Sequence, residues 1–85
     1  MTHELKCWMD SFEAIGDGRK THEVRRNDRQ FETGDRLHLR EWRGDSGDGG
    51  GIYTGREIFV EVTYVTKGGT FGLPSDVDVL SVRRV

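Results

Sequence analysis

Arg56-Glu57-Ile58-Phe59-Val60-Glu61-Val62-Thr63-Tyr64-Val65-Thr66 is the longest β-patterned run in the chain. With the two-residue period of a strand, Ile58, Val60, Val62 and Tyr64 share one face, and Glu57, Phe59, Glu61, Thr63 and Val65 share the other. The first set reads as core, Tyr64 included. Phe59 and Val65 imply that the second face is also partly covered. Lys67-Gly68-Gly69 then turns the chain. A strand of this length cannot stand alone, so the remaining segments are read for its partners.

Downstream, Phe71, Leu73 and Pro74 make an ordered loop, and residues 77–83 form a last strand with Val77, Val79, Leu80 and Val82 available to the core. Upstream, residues 36–43 alternate, with Leu37 and Leu39 inward and Arg36, His38 and Arg40 outward. Trp42 breaks that parity and is expected to be partly exposed. Residues 44–51 contain five glycines and read as a flexible hairpin loop. They lack the following Lys-Ser/Thr and the helix of a phosphate-cradling loop. Residues 3–8 alternate as a short strand with Leu5 and Cys7 on one side. Asp10-Ser11 is a helix cap signal, Phe12 and Ile15 mark one face of a short helix, and Gly16-Asp17-Gly18 ends it. Trp8 is expected to close the core beside this helix, with stacking on a base as the alternative. His3 and His38 read as surface residues. The pattern is α+β, mainly β, with five to six short strands and one short N-terminal helix in a single domain over residues 1–85, a combination that suits a small, partly closed barrel.

Residues 20–26 form a strand that hydrophobic patterning does not explain. Thr21, Glu23 and Arg25 fall on one face, and His22, Val24 and Arg26 on the other, so Val24 is its one apolar residue. Glu23 and Arg25, two apart, are placed to orient each other. An Arg held by a carboxylate presents a planar donor fork to phosphate, carboxylate or a base edge. Lys20 sits at the strand mouth, where a point charge meets an anion. A plain edge strand with a surface ion pair is the competing account of the same residues.

The chain has 85 residues, 33% hydrophobic and 33% charged, with a formal net charge of −2. That balance excludes coating of nucleic acid by bulk charge. Basic residues nevertheless cluster at Arg19, Lys20, Arg25, Arg26 and Arg29, against the acids Glu23 and Asp28 in the same stretch. A local basic patch on an acidic body suits a small anion or a short stretch of RNA. Cys7 is the one cysteine, so there is no disulfide framework and no metal-ligand spacing; it reads as a small buried hydrophobe. No apolar run reaches the roughly 20 residues of a membrane span. Met1-Thr2-His3-Glu4 lacks the pattern of a signal peptide, and a monomer in a reducing cytoplasm is expected.

Gly18-Arg19-Lys20-Thr21-His22-Glu23-Val24-Arg25 resembles the Gly-x-Lys-x-x-Glu-x-Arg motif of ASCH domains, part of the PUA-like superfamily. The likeness extends to His3–Trp8, to Ile15-Gly-Asp-Gly18, to Arg26–Arg29, to Phe31-x-x-Gly-Asp35, to Leu39-Arg-Glu41, to Tyr53–Glu57 and to Val65–Gly69, nearly the whole chain. It resembles one small uncharacterised subgroup of that superfamily. The resemblance implies a PUA-like β-barrel whose cleft binds RNA or a modified nucleoside, without a cofactor, with Lys20, Glu23 and Arg25 facing the ligand and Arg19 and Thr21 flanking them. Some ASCH proteins are amidohydrolases of acetylated cytidine that use Thr, Lys and Glu. Lys20 matches their Lys, but Glu23 stands where they carry the nucleophile, and Thr21 is at the wrong spacing. Carboxylate-assisted chemistry by Glu23, with Lys20 stabilising developing charge, is what that departure leaves.

Three functions follow as expectations. The first is a non-catalytic module binding RNA or a nucleotide through Lys20, Glu23 and Arg25, with Trp42 as a base-stacking side chain and Tyr53 and Arg56 flanking the ligand. The second is a small amidohydrolase of acylated nucleosides. The third is a protein-interaction module using the charged strand face and the Gly-rich loop.

Overall fold

A computed structural model describes residues 1–44 and 50–85 of the chain. Its elements run β1 (Thr2–Trp8), α1 (Met9–Gly16), β2 (His22–Arg26), β3 (Arg36–Gly44), β4 (Gly51–Thr66) and β5 (Val77–Arg84). Among the described residues the strands make one curled sheet in the order β1-β3-β4-β5-β2, a half-barrel rather than a closed one. β1 pairs with β3 in parallel, and the other neighbours are antiparallel. β1 and β2 are therefore the two free edges. The reading of residues 44–51 as a flexible loop falls largely on 45–49, which lie outside the described residues.

The concave face holds the core: Leu5 and Cys7 from β1, Leu37 and Leu39 from β3, Val60 and Val62 from β4, and Leu80 and Val82 from β5. Phe12 and Ile15 of α1 and Phe31 of the β2–β3 connection cover it. The short helix begins at Met9, not at an Asp10-Ser11 cap. Trp8 occupies the cap position in extended backbone and makes no capping bond, while the Asp10 carboxylate accepts the Ser11 N–H within the first turn. Asp17 and Gly18, the latter at φ +85°, end the helix as the Gly-Asp-Gly signal predicts.

A β-bulge revises the expected parity on β4. β4 inserts Thr63 between the pairs Val62–Val82 and Tyr64–Ser81. The side-chain alternation flips there, so Val65 packs on the core and Tyr64, expected inside, is 64% exposed. A second irregularity lies between Arg40 and Trp42: only Glu41 separates them, while Thr54, Gly55 and Arg56 separate their partners Tyr53 and Glu57. Gly55 takes the left-handed φ of +95° that this bend needs. Glu41 is turned into the interior, 3% exposed. On β5, Asp78 is buried with Leu80 and Val82, whereas Val77 and Val79 are only half-buried. Asp78 is not a stray charge: it accepts the Gly68 N–H at 2.9 Å and the Asn27 amide at 3.4 Å, tying the β4–β5 turn to the end of β2.

His3, expected at the surface, is 5% exposed. It lies on the concave side of β1, where its Nε2 is 2.8 Å from Asp35 and its ring meets Phe31 edge-on. Asp35 also accepts the Glu32 N–H at 3.0 Å and pairs with the amino group of Met1 at 3.2 Å. Burial alone would raise the Asp35 pKa, but the His3, Glu32 and Met1 donors outweigh it and hold the carboxyl below the usual aspartate value. His38 lies on the outer face, stacked on Phe59 and 2.9 Å from Glu57.

Leu39→Ala, at a fully buried position, should cost about 2–5 kcal/mol in urea unfolding. Asp35 binds its proton more weakly folded than unfolded, so it stabilises the fold above the unfolded value of about 3.9 and loses that contribution as pH falls through its folded value. Asp35→Asn should therefore flatten the acid limb of a plot of urea midpoint against pH. An unchanged acid slope would contradict this assignment.

Candidate functional site

The open seam of the half-barrel lies between β1 and β2. Glu23 points into it from β2, 4% exposed, because strand parity puts 23 and 25 on the concave side and turns Val24, 55% exposed, outward. The inverted pattern thus places charge inside and the apolar residue outside. Arg25 places Nε 3.0 Å and Nη2 2.9 Å from Glu23 Oε2, and its Nη2 also donates to the Lys6 carbonyl of β1. One guanidinium therefore ties the two free edges. Lys20 precedes β2 and is fixed to the helix by its backbone N–H, which donates to Ala14 O at 3.0 Å. Its Nζ donates to Ser11 Oγ and lies 3.4 Å from Glu23 Oε1. A carboxylate held on both sides by cations is the arrangement in which a partly buried charge is tolerated.

These groups line a cavity of about 570 Å³, together with Lys6, Cys7, Trp8, Ser11, Trp42, Gly44 and others. Of the residues expected at the site, Lys20, Glu23, Arg25 and Trp42 are brought together there. Arg19 is not: it folds back on Asp17, with its Nε 2.8 Å from the carboxylate, and is largely exposed. Thr21 lies ahead of β2, exposed, and contributes its carbonyl to the Val82 N–H. Tyr53 stands behind Trp42, edge-on at 4.9 Å, with the Arg40 guanidinium over its ring. Arg56 lies apart from the cavity, 3.7 Å from Glu13 and 3.6 Å from Glu41.

Trp8 is the chief correction. Expected in the core, it is 62% exposed in the cavity wall, because it falls on the outer face of β1 with Glu4 and Lys6, opposite the buried Leu5 and Cys7. Ser11 was also missed; its position one turn into α1 is not visible as chemistry until Lys20 returns to it. Glu41 was likewise missed, although it is in phase with the inward Leu37 and Leu39; there it accepts the Thr54 hydroxyl at 2.6 Å.

Cys7 lies among these groups as a free thiol. Burial and then the Glu23 carboxylate push it up to about 11, with Arg25 and Lys20 pulling the other way. It is a neutral thiol at physiological pH and a poor nucleophile. Among the described residues the cavity therefore presents three cations, a carboxylate, a hydroxyl, a neutral thiol and two indoles. They can bind an anion and a planar ring.

The chain is similar to an uncharacterised 12.9 kDa protein in the GpA 3′ region of Escherichia phage P2, 38% identical over 64 residues, covering 75% of this chain and 53% of that protein. The chain thus spans about half the length of the curated relative it matches. Residues 2–82 match the family model described as a domain of unknown function, DUF3850, and the chain belongs to that family.

Proposed function

We propose that the Lys20–Glu23–Arg25 cleft binds RNA or a nucleotide. The observation that carries this reading is the convergence of Lys20 and Arg25 on a 570 Å³ cavity in a chain whose net charge is −2. The cations are local, and Glu23 orients both of them. Indoles in the same wall add surface for a base. The likeness of residues 18–25 to the ASCH motif supports the same ligand class. Cys7, a buried free thiol, fits a protein of the reducing cytoplasm.

A second reading, hydrolysis of an acylated nucleoside, is favoured by one contact: the Ser11 hydroxyl meets Lys20 Nζ inside the cavity. In this reading Glu23 takes a proton from a water that adds to the acyl carbon, Lys20 stabilises the oxyanion, and the C–N bond breaks as that proton passes to the leaving amine. Acetate release from acetylated cytidine tests it directly, and no release would remove it.

For binding, Lys20→Ala and Arg25→Lys should each weaken a short single-stranded RNA about tenfold or more, as expected for loss of one charge-assisted contact. Lys20→Ala should also lower the salt dependence of binding by about one ion. NMR titration should move the amides of residues 20–25. RNA and nucleotide titrations that leave those amides unmoved would overturn the reading.

A further inference from the structure

We infer that Trp8 is the stacking surface for a single unpaired nucleobase, set beside the Lys20–Arg25 anion site. This inference rests on the proposed nucleotide-binding reading and names the part of the ligand that gives it specificity.

Exposed apolar side chains are common, so exposure by itself decides nothing. What distinguishes Trp8 is how it is held. A Cβ built on Gly44 would lie 2.1 Å from Cζ3 and 2.4 Å from Cη2 of the Trp8 indole. The six-membered ring therefore rests directly on the Gly44 backbone, in space that only glycine leaves open. Most of the rest of the ring faces solvent at the cavity wall. The fold supports this indole from one side without covering it.

Trp42 makes the contrast. It is the register partner of Trp8 across the parallel β1–β3 pair, and it too rests on a glycine: a Cβ on Gly51 would lie 2.5 Å from its Cζ2. Trp42, however, already has company. Lys6 Nζ sits 4.1 Å from its ring centroid, and Tyr53 packs edge-on against it. Gly44 and Gly51 are themselves paired across β3 and β4. Among the described residues, one glycine pair thus seats two indoles, one with ring and cation neighbours and one open. Trp8 is the open one, and it shares its cavity wall with Lys20 and Ser11.

The ligand that fits is a flat heterocycle carrying a negative group: the ring on Trp8, the anion toward Lys20 and Arg25. A volume of about 570 Å³ lies within the range of small-molecule sites and admits one nucleotide. A base stacked within a duplex cannot lie on the indole. A free nucleotide and an unpaired base in an RNA strand offer the same chemistry.

The chain has two tryptophans, so Trp42→Phe leaves Trp8 as its one indole reporter. In that background, fluorescence is followed with a nucleoside 5′-monophosphate, ribose 5-phosphate, a single-stranded RNA hexamer and the corresponding duplex. The expected result is quenching of Trp8 by the mononucleotide or the single strand, and by the duplex at least tenfold less readily. In the otherwise unaltered protein, calorimetry should show the mononucleotide or the single strand binding about tenfold more weakly to Trp8→Ala, with ribose 5-phosphate unchanged. Gly44→Ala should reproduce that loss, because its Cβ displaces the indole while its backbone is not in the left-handed region. Thermal melting checks that both variants stay folded. Quenching by the mononucleotide assigns a free nucleotide; quenching by the single strand alone assigns an unpaired base in a strand. Either supports the inference. Equal Lys20-dependent binding of ribose 5-phosphate and the mononucleotide, or affinities unchanged in both variants, overturns it while leaving the anion site standing. No binding of any probe removes both.

Discussion

A five-stranded sheet curled into a half-barrel leaves two edges open, and in this protein one buried carboxylate organises the gap. Glu23 sits on the inner side of β2 and is held by Arg25 on one side and Lys20 on the other. Arg25 continues across the gap to the Lys6 carbonyl of β1, and Lys20 continues to Ser11 of α1. Three elements that share no strand pairing are thus tied by one charge cluster. Removing the carboxylate would leave two partly buried cations facing each other, which is why a charge sits where a core residue would otherwise be expected. The same cluster leaves a cavity rather than a packed seam, so the device that closes the fold also makes its candidate site.

The bulge in β4 does a second job. A strand flips its inward face only when a residue is added or removed from the ladder. Thr63 supplies that residue on β4 and sends Tyr64 out and Val65 in. On β3 the ordinary alternation that turns Leu37 and Leu39 inward also brings a second carboxylate, Glu41, to the inner face beside Cys7. Both carboxylates raise the thiol, with burial the larger effect, so the one cysteine packs as a small, neutral apolar group.

The glycines at the ends of the 44–51 segment bear on function through close approach. Gly44 and Gly51 lack side chains where Trp8 and Trp42 lie down on the backbone. Their role is fixed by steric space within the β3–β4 ladder, whereas composition alone suggests only a flexible hairpin.

Local pattern by itself determined the mainly β character, the helix face of Phe12 and Ile15, the inward positions of Leu37, Leu39, Val60 and Val62, and the anomaly of residues 20–26. These follow from periodicity, which a sequence carries residue by residue. The pairing of Glu23 with Arg25 was readable for the same reason, since residues two apart share a strand face. Tertiary structure alone decided the strand order, the inversion at Tyr64, and what meets His3, Glu41 and Asp78 on the inner faces and Trp8 on an outer one, positions that strand phase itself assigns. Each is met by another segment: Asp35 for His3, the Thr54 hydroxyl for Glu41, the Gly68 turn for Asp78, a bare Gly44 backbone for Trp8. Those partners lie 10 or more residues away in the chain, and no spacing rule within one strand encodes which of them arrives.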